Sequence, residues 1–369
     1  MERIGKELAE SARTLVVAGN GIRLSGCADR FRHFIDFTGY HVVTTWGGAD
    51  LLPTNHRQNL GIIGISGHRG ANKAVRDADL LLILGSHLSL PQTSTLIDQF
   101  APKARKVMVD IDPGQLGHLT IPVDLVICDD LREFFYWWEE SRPLVTIQAP
   151  EWYDHCKAFK LLSPPPLEGA YALNDAMTHL LPPGTCMVID GGGTALYTGF
   201  QSSHIKEGSR LVCSMSMSAM GSGLPEAVGA CLANGHKLTT CLIGDGSLML
   251  NVQELQTIAT HKLPIKIFVI NNGGYLAIRQ TQKSFQDGRY YGVGGADLQF
   301  PSVFALAHAF GIPYMLTSDT DDYQAKLRCA LNDIDGPTIC EWWCSPEQKM
   351  VRQGYKDGKP MPLSEMVYA

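Results

Sequence analysis

Two short segments carry the residue types of a metal and phosphate site. The first is Gly244-Asp245-Gly246-Ser247, the second Asn271-Asn272-Gly273-Gly274, and each ends an apolar run. A carboxylate, a side-chain amide and backbone carbonyls make an all-oxygen donor set. Such a set suits a hard cation like Mg²⁺, which shares its coordination with phosphate oxygens of a substrate or cofactor. The glycines let the backbone approach a diphosphate closely, and Ser247 adds a hydroxyl. Either segment alone reads as an ordinary turn. The informative pattern is their pairing at two strand ends, separated by one helix and one strand.

Two further glycine loops stand near them. Met217-Ser218-Ala219-Met220-Gly221-Ser222-Gly223-Leu224-Pro225 opens a helix of small residues. Asp190-Gly191-Gly192-Gly193-Thr194 follows a strand, and read from its residues alone it is equally a turn and cap. Val16-Val17-Ala18-Gly19-Asn20-Gly21 begins like a dinucleotide fingerprint, but position 24 is Leu, so the third glycine is missing.

These loops need rigid supports. Apolar runs of strand length recur at 14–18, 41–45, 79–84, 107–111 and 123–127, then at 185–189, 210–213, 239–243, 265–270 and 338–343. Helical apolar spacing appears between them at 28–38, 71–78, 131–139, 171–181, 224–232, 252–261 and 301–310. Continuous apolar strands alternating with helices predict an α/β fold with two doubly wound, Rossmann-like parallel sheets. In such sheets both 244–247 and 271–274 fall at carboxyl ends of strands, where open α/β sheets bind ligands. Little pattern marks 142–150, a short helix is predicted over 152–160, and Ser163-Pro164-Pro165-Pro166-Leu167 demands extended chain. The domains are therefore placed at 1–145 and 169–369, with a linker at 146–168.

At this point a family resemblance can be named. Gly244-Asp245-Gly246 through Asn271-Asn272 is similar to the signature of thiamine diphosphate (ThDP)-dependent enzymes. Asn251-Val252-Gln253-Glu254-Leu255, Leu263-Pro264-Ile265 and Pro346-Glu347-Gln348-Lys349 resemble the acetolactate synthase-like branch. The resemblance implies that Asp245, Asn272 and the Gly274 carbonyl hold Mg²⁺, which in turn holds the cofactor diphosphate. It places Gly244, Gly246 and Ser247 along that diphosphate, with the Gly193 and Thr194 amides as further contacts. Met220 falls where the family has a bulky apolar residue that bends the cofactor into a V. The backbone of Ser218 and Met220 then bonds the aminopyrimidine edge. The first domain resembles the family's central domain. Some relatives bind FAD there through a charged stretch, but this chain reads His87-Leu88-Ser89-Leu90-Pro91 at that place, so a structural role is expected instead.

Two departures shape the functional expectation. The family has three domains, and this chain matches the central and pyrophosphate-binding ones. The remaining, pyrimidine-binding domain carries the glutamate that activates the cofactor, and no Glu here matches that motif. A two-chain enzyme follows as the expectation, in which a partner subunit supplies the pyrimidine domain, with dimers or tetramers of such pairs. Second, Thr281 stands where acetolactate synthases carry a substrate-selecting Trp, which argues against branched-chain amino-acid synthesis. The expected activity is carboligation of a decarboxylated 2-keto acid. The alternatives are a decarboxylase releasing an aldehyde, or a non-catalytic ThDP-binding or regulatory subunit. Leu248, Met249, Leu276, Ala277 and Gln280 are candidates for the substrate side.

Composition excludes other classes. Lys and Arg number 31 against 37 Asp and Glu, so nothing electrostatic points to nucleic acid or anionic lipid. No apolar run is long enough to span a membrane, and the start, Met-Glu-Arg-Ile-Gly-Lys-Glu, lacks a signal-peptide pattern. The ten cysteines are scattered without a Cys-x-x-Cys, as expected of reduced thiols in a cytoplasmic protein. None of the twelve histidines forms a His-x-x-x-His or His-Glu pair, so no histidine metal cluster is expected.

Overall fold

The computed structural model describes residues 1–93, 97–141, 149–162, 167–214, 217–318, 322–350, 355–356 and 359–360. The chain divides into two compact units, 1–164 with 352–367, and 165–351 with 368–369. Much of the Pro-bearing break expected at 142–150 and 163–167 lies outside the described residues.

In the first unit six strands form one parallel sheet. They are β1 (Thr14–Ala18), β2 (His41–Thr44), β3 (Asn59–Ile62), β4 (Leu80–Leu84), β5 (Arg105–Asp110) and β6 (Leu125–Cys128). Their order is β3-β2-β1-β4-β5-β6. Every residue of β1, β2 and β4 is buried. That is why these strands read as continuous apolar runs rather than alternating ones. Helices cover both faces. On one, Phe34, Phe134, Phe135 and Trp138 interlock edge to face with centroids 5.1–6.1 Å apart. The predicted linker contains a helix, Pro150–Leu162, that belongs to this unit. Its Tyr153 and Cys156 are buried, and the Tyr153 hydroxyl donates to the Thr14 carbonyl at 2.9 Å. The division between the units falls at 164/165, within the expected linker 146–168, and most of that linker packs with the first unit.

The second unit also holds a parallel sheet of six strands. They are β7 (Cys186–Ile189), β8 (Arg210–Val212), β9 (Thr239–Gly244), β10 (Ile265–Asn271), β11 (Tyr314–Ser318) and β12 (Thr338–Trp343). The order is β11-β12-β10-β9-β7-β8, with every pairing parallel. After β7 the chain goes outward to β8, then crosses back to β9. This reversal makes a crevice at the carboxyl ends of β7 and β9, the place where doubly wound sheets take ligands. Two helices that the sequence left unassigned flank it, Gly193–Ser202 and Leu276–Phe285. Among the described residues no helix is long and apolar enough to cross a membrane.

Candidate functional site

The crevice is organised by Asp190, which leaves the end of β7 with no solvent exposure. Its Oδ1 accepts the Gly192 N–H at 2.8 Å, and its Oδ2 accepts the Gly223 N–H at 3.0 Å. One carboxylate thus ties the β7 turn to the start of the helix Gly223–Ala233. Burial pushes the Asp190 carboxyl above its ordinary pKa, while the Ser247 hydroxyl and backbone amides pull it back. The loops meet without side chains between them: a Cβ on Gly191 would stand 2.3 Å from the Ser218 backbone. One on Gly192 would stand 2.4 Å from Ser247 Oγ. Ser218 itself has a left-handed φ of 46°. The organising role of Asp190 has one local signal in the sequence, an Asp followed by three glycines at a strand end.

Asp245 starts the short helix Asp245–Leu248, directly after β9. It is 5% exposed and accepts the Gly246 N–H at 2.8 Å and the Gly274 N–H at 3.0 Å. Burial raises its pKa to about 6, opposed by the backbone amides of Gly246, Gly274, Gly273 and Asn272. A carboxylate so placed is short of positive charge. Asn272, also 5% exposed, points its Nδ2 at Thr194 Oγ1 3.4 Å away, while its Oδ1 is buried without a hydrogen-bond partner. An orphaned amide oxygen costs on the order of 1–3 kcal/mol unless something accepts its lone pair. A bound cation does so. Gly274 holds a φ of 151°, and a Cβ there would lie 2.0 Å from the Val293 carbonyl oxygen. Only glycine lets the backbone turn back here.

Gly193, Thr194, Met220, Gly244, Asp245, Gly246, Ser247, Asn272 and Gly274 line a single cleft. Ser218 is not on its lining and meets the site through its backbone contact with Gly191. Gly193 and Thr194 form the first turn of the helix Gly193–Ser202, where backbone N–H groups lack helical partners and favour anions. Met220 is half-buried. Of the substrate-side candidates, Leu276 and Ala277 line the same cleft. Leu248 and Met249 line a second cavity of about 460 Å³ instead. Gln280 donates to the Gln348 carbonyl at 3.0 Å, and the exposed Thr281 donates to the Ala277 carbonyl at 3.1 Å. Asn271 faces the second cavity, where Glu341 Oε1 accepts its Nδ2–H at 2.5 Å and Glu341 Oε2 accepts the Tyr314 hydroxyl. Glu341 stands 70 residues away in sequence, so its support of the Asn-Asn turn was not visible beforehand.

Residues 191–342 match the thiamine pyrophosphate enzyme C-terminal TPP binding domain, and residues 1–136 match the central domain of the same enzymes. The chain belongs to the thiamine pyrophosphate enzymes. Among curated relatives, the acetolactate synthase large subunit of Parasynechococcus marenigrum is 30% identical over 335 residues, 88% of this chain and 53% of the relative. The isozyme 2 large subunit of Escherichia coli is 28% identical over 349 residues, 92% of this chain and 61% of the relative. That of Cyanidium caldarium is 31% identical over 350 residues, covering 92% and 59%. The chain thus spans between about half and three fifths of the relatives it matches. Within this family member, the cleft just described lies in the TPP-binding domain.

None of the ten cysteines is in a disulfide; Cys128 is exposed, Cys213 and Cys329 are half-buried, and the others are buried. His68, in the first unit, accepts the Ile62 N–H on Nδ1 at 2.9 Å and shapes its own loop.

Proposed function

We propose that this chain is the diphosphate- and metal-binding part of a ThDP- and Mg²⁺-dependent carboligase. It would join the decarboxylated remainder of a 2-keto acid to a carbonyl acceptor. The observation that carries this reading is the unpartnered Asn272 Oδ1, buried in one cleft with Asp245 and the Gly274 turn. An aspartate short of positive charge, an amide oxygen short of a partner and a strained glycine turn are the donor set of a hard cation. The acetolactate synthase names of the relatives support the reaction class.

When bound, ThDP would supply a nucleophilic carbon and a cationic ring that serves as sink for the electron pair released by decarboxylation. The chain's own residues hold and shield it. Asp245, Asn272 and the Gly274 carbonyl would hold the metal. Gly193 and Thr194 would offer N–H groups to the diphosphate, and Gly244, Gly246 and Ser247 would leave room beside it. Met220 would be the apolar support beneath the cofactor, and the backbone of Ser218 and Met220 would hold its aminopyrimidine edge. Among the described residues lining the cleft, Asp245 is the sole carboxylate, and a bound metal would engage it. We assign the acid that protonates the pyrimidine to a pyrimidine-binding domain on a partner polypeptide, in a cytoplasmic heteromer.

Product analysis tests both parts. The chain with ThDP, Mg²⁺ and pyruvate is assayed with and without a separately expressed pyrimidine domain, and with and without an acceptor aldehyde. Turnover that needs the second polypeptide and yields a C–C-joined product supports the proposal. Turnover by the chain alone removes the partner. Free aldehyde as the only product makes the enzyme a decarboxylase.

A further inference from the structure

At the other end of the second sheet, three metal-ligating side chains converge from two helices. The helix Gly169–Leu180 leads into β7, so its last turn lies at the amino ends of the strands. The helix Gly193–Ser202 starts beyond the carboxyl end of β7 and returns to that same end. Asp175 and His179 stand one turn apart on the first helix, and His204 follows the second.

His204 Nε2 is 2.8 Å from Asp175 Oδ1, and His179 Nδ1 is 3.4 Å from Asp175 Oδ2. One ligand atom from each residue lies within 4.8 Å of the others. Ligand atoms about 2.0–2.2 Å from a tetrahedral Zn²⁺ stand about 3.3 Å apart, so binding would draw together atoms that now lie within 4.8 Å of one another. The two imidazole rings lie against each other, with centroids 3.5 Å apart. The His204 backbone is held in place, since its N–H donates to Thr178 Oγ1 at 3.0 Å. An opposing charge, Lys206, is drawn to the carbonyls of His179 and Leu181 at 2.7 and 2.6 Å.

We propose that Asp175, His179 and His204 form a binding site for a divalent transition metal of the Zn²⁺ class, with an open fourth position. Imidazole and carboxylate ligands select this class over Mg²⁺. The ion would clamp the end of one helix to the end of the helix whose first turn carries Gly193 and Thr194. Sequence spacing hides the site because His204 arrives from a different helix.

The test titrates the metal-free chain with Zn²⁺ in excess Mg²⁺, so that oxygen-rich sites are filled. Co²⁺ serves as an optical probe, because nitrogen and oxygen ligation lacks the charge-transfer band of cysteine thiolates. We expect uptake of one equivalent and a higher melting temperature, both lost in His179→Gln and in His204→Gln. His179 is exposed, so its replacement leaves the fold intact, which circular dichroism checks. Wild-type uptake no greater than that of the variants, or a Co²⁺ spectrum of thiolate type unchanged by them, overturns the proposal and leaves an Asp–His ion pair.

Discussion

At the scale of single residues, the contrast between Asp245 and Asp190 shows what spacing can reveal. Asp245 and Asn272 were legible because both sit beside glycines at the ends of apolar runs. Asp190 is as deeply buried and as central, yet its work depends on the N–H of Gly223, 33 residues away. Glu341 depends likewise on Asn271 and Tyr314. Asp245→Asn keeps the size of the side chain and removes its charge. A charge-assisted contact contributes about 1.5–3 kcal/mol, so Mg²⁺-dependent cofactor affinity should fall roughly 10–100-fold with the fold retained. Isothermal calorimetry measures this, and unchanged affinity would take Asp245 out of the metal set.

At the scale of elements, the buried strands were the most legible and the edges the least. β1, β4, β9 and β10 are nearly or wholly buried and mostly apolar, with Thr14, Thr239, Thr240 and Lys266 as buried polar residues near their amino ends. β3 escaped notice because Gly61 interrupts it with a φ of 105° and its register with β2 shifts at Val42/Val43. β11 is an edge strand, mostly half-exposed, and lacks an apolar run. The helix Gly193–Ser202 contains two threonines and two glycines, weak helix formers that packing overrides. β2 also carries a polar residue with a measurable consequence. His41 is 2% exposed, and its Nε2 lies 3.0 Å from the Tyr153 carbonyl oxygen. Burial pushes its pKa down from 6.5 to about 4. The unfolded chain binds this proton below pH 6.5, and the folded chain only near pH 4. Stability is therefore lost as pH falls through that window, by about 3 kcal/mol in all. Urea unfolding of the fragment 1–164 against pH should show this slope, and His41→Gln should flatten it.

At the scale of the whole molecule, each of the two units has its own sheet and its own core. The candidate cofactor cleft is built entirely from the second. Ligand at 100 times its Kd stabilises the state that binds it by about 2.7 kcal/mol. For a unit of this size that is a rise of roughly 5–10 °C. Scanning calorimetry with ThDP and Mg²⁺ should raise the transition of the second unit and leave the fragment 1–164 unmoved. A shift in that fragment would place the binding elsewhere.

The sequence by itself determined the α/β class, the parallel sheets and the glycine-flanked oxygen ligands, because burial on both faces and turn chemistry act over a few neighbouring residues. Only the tertiary structure decided what stands beside those ligands. The orphaned Asn272 Oδ1, the Asp190 bridge to Gly223 and the meeting of His204 with Asp175 and His179 each join segments from different loops or helices. Hydrogen bonds and ligand contacts act over about 3 Å of space whatever the distance along the chain, so no local pattern records them.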